Sequence, residues 1–229
     1  MLVLHHHPFC PRSRFARLAL AEHRLDAELV EEHVWDRRRD FLEIAPEGTT
    51  PVLVEDKTKV IVGSLVIAEY LEDTPGPGAV DRPLWPTDPV ERAEARRLTH
   101  WFDEKFHREV SSGLVTEKIY KRVMPSGRDN APDMETIRAS RANLRWHLRY
   151  IDHLIRSRNW LAGDRLTYAD LAAAAHLSCL DYLSDVPWDE NETAKNWYAR
   201  VKSRPSFRAL LTDRMPGMVP SPAYADLDF

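Results

Sequence analysis

Cysteine is the strongest nucleophile in this chain, and one of its two copies stands where a helix begins. In Cys10-Pro11-Arg12-Ser13 the proline suits a first helical position, so the thiol lies at the positive end of a helix dipole, a place that favours the nucleophilic thiolate. Arg12 and Arg14 would add to that field. Ser13 offers a hydroxyl that could instead stabilise a bound thiolate. A small inert thiol packed against the first strand is an equal alternative for Cys10. Cys179 lies in the most apolar stretch and reads as core.

Two further segments suit an extended ligand. In Thr50-Pro51-Val52 a proline directly before a strand can hold a cis peptide and expose backbone groups for strand-like pairing, or it can simply start the strand. Gly63-Ser64 opens a helix, where a hydroxyl and first-turn amides suit a carboxylate; a plain helix cap is the competing use. Arg37-Arg38-Arg39, beside Trp35, reads as a solvated charge run within reach of a carboxylate near Pro51. His5, His6 and His7 alternate across a strand and cannot all reach one ion, and no Cys or His cluster has zinc spacing, so neither a metal site nor a required cofactor is expected.

These residues need a scaffold, and the pattern supplies one. Residues 2–4, 27–34, 50–54 and 59–62 read as strands. A helix carrying Phe15, Leu18 and Ala19 follows the first strand, a short turn or helix covers 41–45, and a helix opens at Ser64. This α/β unit spans 1–74, and a proline-rich linker follows over 75–89. Residues 90–212 are all-helical, with helices expected over 90–123, 133–157, 168–183, 193–202 and 205–211. Thr167-Tyr-Ala-Asp170 has the spacing of a capping box before the third helix of that run of five. Residues 213–229 form a proline-rich tail that ends acidic and aromatic.

Composition narrows the class. With 229 residues, 43% of them hydrophobic and 30% charged, the chain should fold compactly. A net charge of −4 gives no reason to expect nucleic acid or an anionic membrane as partner. No apolar run approaches the roughly 20 residues that span a bilayer. Two cysteines are too few for a disulfide framework, so a cytoplasmic protein is expected.

Taken together, His7-Pro-Phe-Cys10-Pro-x-Ser-Arg, Gly48-Thr-Thr-Pro51-Val-Leu-Val, Ser64-x-x-Ile-x-x-Tyr-Leu71 and Leu161-Ala-Gly-Asp-Arg-Leu-Thr167-Tyr-Ala-Asp170 resemble the glutathione S-transferase superfamily in order and spacing. The resemblance implies a thioredoxin-like domain joined to an all-helical one, α/β plus all-α, in a homodimer. It also implies that Cys10 or Ser13 meets the glutathione sulfur, that Pro51 is cis, that Val52 pairs with the tripeptide backbone, and that an acidic residue followed by Ser64 binds the γ-glutamyl end. Gly63 stands where that acid is expected. Loss of a hydrogen bond to a charged group costs about 1.5–3 kcal/mol, roughly a tenfold to hundredfold fall in affinity. Glutathione is therefore expected as a weakened cosubstrate.

The second half is more narrowly similar. Trp101-Phe-Asp-Glu-Lys-Phe, Thr116-Glu-Lys-Ile-Tyr-Lys-Arg122, Asp181-Tyr-Leu-Ser-Asp-Val-Pro-Trp188 and Tyr224-Ala-Asp-Leu-Asp-Phe229 resemble a branch of the superfamily that binds FtsZ filaments in bacterial cell division and modulates their curvature. That resemblance implies FtsZ as partner, a place at the division site, and partner contacts through Trp35, Glu117, Asp226 and Asp228. The alternative it leaves is a glutathione-dependent transferase or thiol transferase using Cys10 or Ser13. The tail, with aromatic anchors and acids, suits a segment ordered against a partner; folding back over its own helical domain is the equal alternative. A dimer would present two such surfaces and gain by avidity.

Overall fold

The computed structural model describes residues 1–74, 83–125 and 130–226. Four strands, β1 (Leu2–His6), β2 (Ala27–Glu31), β3 (Val52–Glu55) and β4 (Lys59–Val62), form one sheet in the order β2-β1-β3-β4, parallel between β1 and β2 and antiparallel elsewhere. The register sets Leu4 opposite Leu53 and Leu53 opposite Ile61, so these three share a face. Helices α1 (Pro11–Glu22) and α3 (Ser64–Asp73) cover that face with Phe15, Leu18, Ile67 and Leu71. The opposite face carries Val52 and Val54 under Phe41 and Ala45 of α2 (Arg39–Ile44) and its end. Strand β2 stops at Glu31, short of the expected residue 34, because Val34–Asp36 coil into a 3₁₀ turn and Arg37 takes a left-handed conformation, φ 48°.

The second domain begins with α4 (Pro89–His100), capped by the Asp88 carboxylate. The helix continues without a break to Val123, through π-helical turns at Trp101–Ser111 and Thr116–Tyr120. The expected helix over 90–123 is thus present, with wider, π-type turns along about half its length. Met134–Ser157 starts at an Asp133 cap, and Tyr168–Tyr182 starts at the capping box formed by Thr167 and Asp170. The latter helix is buried along its whole length and packs against α1, so one continuous core crosses the domain junction.

Within the expected linker, the Glu72 carboxylate accepts the amides of Leu84 and Trp85, both buried. The chain end differs from an exposed tail. Pro222–Ala225 forms a helical turn whose Tyr224 is fully buried, with its hydroxyl donating to the Leu210 carbonyl at 2.6 Å and accepting from Arg14 at 3.1 Å. Residues 213–226 therefore fold back over the chain's own helices, and Tyr224 is an internal anchor instead of a partner-facing one. Asp228 and Phe229 lie outside the described residues.

Candidate functional site

Cys10 caps α1. Its sulfur accepts the Ser13 amide at 3.4 Å and its S–H donates to the Thr50 carbonyl at 3.7 Å, beside a cis Thr50-Pro51 peptide. Neither neighbouring arginine aims at the thiol, so the expected reinforcement of the helix field by Arg12 and Arg14 is not built. Arg12 donates to the Asp103 carbonyl and pairs with Glu104 at 2.7 Å. Arg14 is fully buried and donates to the Pro8 carbonyl, Ser178, Asp213 and Tyr224. Ser13 is also fully buried. Its hydroxyl accepts the His7 amide at 3.3 Å and lines neither of the clefts described next. Cys179 is core, its thiol pushed up to about 12 by burial.

Two small clefts meet at Arg12, Thr49 and Thr50 between the domains. The first, about 200 Å³, is walled by Gly63 and Ser64 from one domain and by Asp103 and Glu104 from the other. The Ser64 hydroxyl donates to both Asp103 oxygens, at 2.9 and 3.0 Å. Burial alone pushes the Asp103 carboxyl up; His176, Arg12 and Ser64 outweigh it and hold the group below its ordinary range. The carboxylate absent at Gly63 is thus met by two from the helical domain, facing the same cleft. Gly63 itself has φ 94° and ψ 141°, a backbone region that side chains rarely occupy. Val52 lies inside the sheet, opposed by His5 on one side and by Val62 on the other. It is Thr50 that faces the clefts in its place.

The second cleft is a slot of about 160 Å³ lined by Cys10, Val34, His107, Ser112, Thr116 and Tyr120, among others. Burial, then His176 and Arg12, bring the His107 ring down to about 3, so it is neutral at pH 7, and its Nδ1 is buried with no hydrogen-bond partner among the described residues. Trp35 stands beside this slot, half-buried, stacked on His33 with ring centroids 4.8 Å apart and tilted against Tyr120 at 5.2 Å. A wider cleft of about 480 Å³ runs between α1, β2 and Pro205–Ser206, and holds none of the expected site residues.

The remaining expected contacts divide. Glu117 is buried, pairs with Lys121 at 2.6 Å and accepts the Asp133 amide at 2.7 Å, which fastens the start of the Met134–Ser157 helix. Asp226 is exposed, and its carbonyl accepts Lys202 at 2.6 Å. His7 meets Glu31 and His33, not His5 and His6, with ligand atoms all within 4.8 Å. Its Nδ1 accepts the Phe9 amide at 3.1 Å, so the neutral ring keeps its proton on Nε2. Two donors remain, fewer than the three protein ligands of an ordinary catalytic zinc site. Sequence reasoning missed Asp103, His107 and Tyr120 as site residues. Their only signal was a polar residue recurring on the apolar side of one long helix.

A thioredoxin-like sheet with a cysteine at the first helix cap and a cis proline before β3, joined to an all-helical domain, is the architecture of a glutathione S-transferase. Residues 4–79 match the glutathione S-transferase N-terminal domain and residues 118–214 the C-terminal domain, and the chain belongs to this family. It is 48% identical over 229 residues to FtsZ-localized protein A of Caulobacter vibrioides, covering 99% of this chain and 97% of that relative. The crystal structure of a glutathione S-transferase from Sinorhizobium meliloti 1021 superposes with a TM-score of 0.95 at 50% identity, covering all of both chains. The structure of FzlA from C. crescentus superposes with a TM-score of 0.91 at 47% identity, covering 100% of this chain and 99% of that one.

Proposed function

We propose that this chain is a cell-division factor that binds FtsZ filaments at the division site and modulates their curvature. The observation that carries the reading is the end-to-end similarity to FtsZ-localized protein A, which leaves no domain of either chain unmatched. The Trp35 platform beside the interdomain slot and the exposed Asp226 are the partner contacts that fit it; Glu117 acts through the helix start it fastens. Trp101, Trp146 and Tyr150 stack on adjacent helices, with Trp146 48% exposed, a face that suits a second copy of the chain and a bivalent grip on neighbouring filament subunits. Among the described residues no helix is long and apolar enough to cross a membrane. In co-sedimentation with polymerised FtsZ the chain is expected to pellet, and Asp226→Lys to pellet less while melting at the same temperature. A chain that stays in the supernatant with intact polymers overturns the reading.

A second reading is supported by Cys10 at the helix cap and Ser64 at the neighbouring cleft: glutathione binding, with thiol transfer through Cys10. Calorimetric titration with reduced glutathione to millimolar concentration tests it. Absence of heat at that concentration removes glutathione from the function, and transfer activity that survives Cys10→Ser removes Cys10.

A further inference from the structure

Strand β2 lies at one edge of the sheet, and the hydrogen bonds it makes show which groups it leaves unused. The Glu32 amide donates to the His6 carbonyl, and along a strand in a parallel pair successive residues aim their backbone groups alternately at the partner and away from it. Glu28 and Val30 therefore face β1, while Ala27, Leu29 and Glu31 hold their N–H and C=O groups toward the open side. Among the described residues no strand pairs with that side. Side chains alternate with the same period. Leu29 lies opposite Leu4, on the face that α1 covers, yet it is 47% exposed because no strand lies beyond it. The cleft of about 480 Å³ borders this edge and is lined by Ala27 and Leu29, by Leu20 and Ala21 of α1, and by Pro205 and Ala209 of the helical domain. Arg17 brings no free charge to it, being held by Asp213 and the Ala209 carbonyl. On the opposite face of the sheet Glu28, paired in register with Val3, is exposed. Along the edge Asp26, Glu28 and Glu31 outnumber Arg24.

These features select an occupant. An extended polypeptide carries donors and acceptors at the spacing of the strand itself, so it can meet the open N–H and C=O groups in turn. On the Leu29 face its side chains would meet an apolar cleft, and on the Glu28 face an acid, so they should alternate apolar and basic. A second copy of β2 does not fit, because two-fold pairing would line up Glu28 and Glu31 of both copies along one seam, where like charges repel. We infer that β2 is a docking edge for an extended segment of another protein, with apolar side chains over Leu29 and basic ones beside Glu28. The inference is independent of the FtsZ reading, since none of the residues expected to touch FtsZ lines this cleft.

The probe is a six-residue peptide of alternating valine and lysine, labelled with fluorescein and followed by anisotropy as the full chain is added up to millimolar concentration. Saturable binding is expected. Leu29→Ser removes the apolar contact without changing charge, and is expected to bind the peptide about tenfold more weakly with an unchanged melting temperature. Glu28→Lys should weaken binding about threefold. Two further peptides carry N-methyl groups, one on its valines and one on its lysines, and only the peptide whose methylated amides face β2 should fail to bind. Both have the same charge, so general attraction to an acidic surface cannot separate them. The one that fails also gives the direction of docking, since valine amides face β2 in an antiparallel addition and lysine amides in a parallel one. Equal affinity for the two methylated peptides, absence of saturation with the unmethylated one, or undiminished binding by Leu29→Ser overturns the inference.

Discussion

Helix α1 meets the helical domain with two sets of arginines, and they are used in opposite ways. On one side Arg14 and Arg17 converge on Asp213, at 3.3 and 2.8 Å, with Ser178, Tyr224 and the Ala209 carbonyl completing their donors, and every one of these guanidiniums is buried. On the other side Arg12 is partly exposed and reaches Asp103 and Glu104 beside two open clefts. The first junction has spent its hydrogen bonds on cohesion, and the chain end is folded into it. The second leaves capacity open. The contrast sets a closed junction against one that keeps open clefts, and open clefts at a domain junction are where a ligand or partner finds room.

The comparison is broken most easily from the closed side. Arg14→Ala removes one partner of a buried ion pair and leaves a void where a fully buried guanidinium stood, so unfolding in urea is expected to show a loss of about 3–5 kcal/mol. A loss below about 1 kcal/mol would mean that Arg17 alone holds the junction. Next comes Gly63→Glu, which restores a carboxylate to the open side. The backbone at Gly63 favours glycine, so this variant is expected to lose about 1–3 kcal/mol even though nothing lies within 4 Å of an added Cβ. An unchanged midpoint would show the backbone relaxing and would make the missing acid a matter of chemistry alone.

Acid should weaken both sides, for one reason. Burial brings His6 down to about 4 and His7 and His107 to about 3, against an ordinary value of 6.5. Below pH 6.5 the unfolded chain takes up protons that the folded chain refuses, so stability falls as pH falls through that window. Each of the three histidines is expected to contribute between about 1 and 2 kcal/mol of loss by pH 5.5. Urea midpoints from pH 7.5 to 5 check this, and His107→Phe should flatten the slope by its share. A slope that His107→Phe leaves unchanged would place the His107 ring in contact with water.

Much of this fold was legible in the chain because its signals are local. Cys10-Pro11 announced a helix start and Thr167 with Asp170 a capping box, and both stand where expected, since a cap depends only on the next three residues. The site was less legible because its partnerships are remote. Ser64 finds Asp103 39 residues on, and Arg14 finds Tyr224 210 residues on. No spacing rule reaches so far, so Arg14 read as a neighbour of Cys10, and Tyr224 as an anchor for either a partner or the chain's own helices. Val52, read as open to a ligand, is paired on both sides within the sheet, for a related reason. Strand periodicity locates a strand but leaves open which residue lies just outside its paired register.

The smallest expected effect is the sharpest check on the division between the two sides. Glu104 is 49% exposed and its pair with Arg12 is held at a cleft rim, so solvent screens it and side-chain ordering offsets most of what it gains. Glu104→Gln should therefore shift the urea midpoint by less than about 1 kcal/mol, even though the pair bridges the same two domains as Arg14 and Asp213. Asp103→Asn should cost more, because that carboxylate is buried and accepts both contacts from Ser64. If Glu104→Gln instead approached the loss expected for Arg14→Ala, the Arg12 side would be holding the domains together, and the open clefts could not be read as capacity kept for a partner.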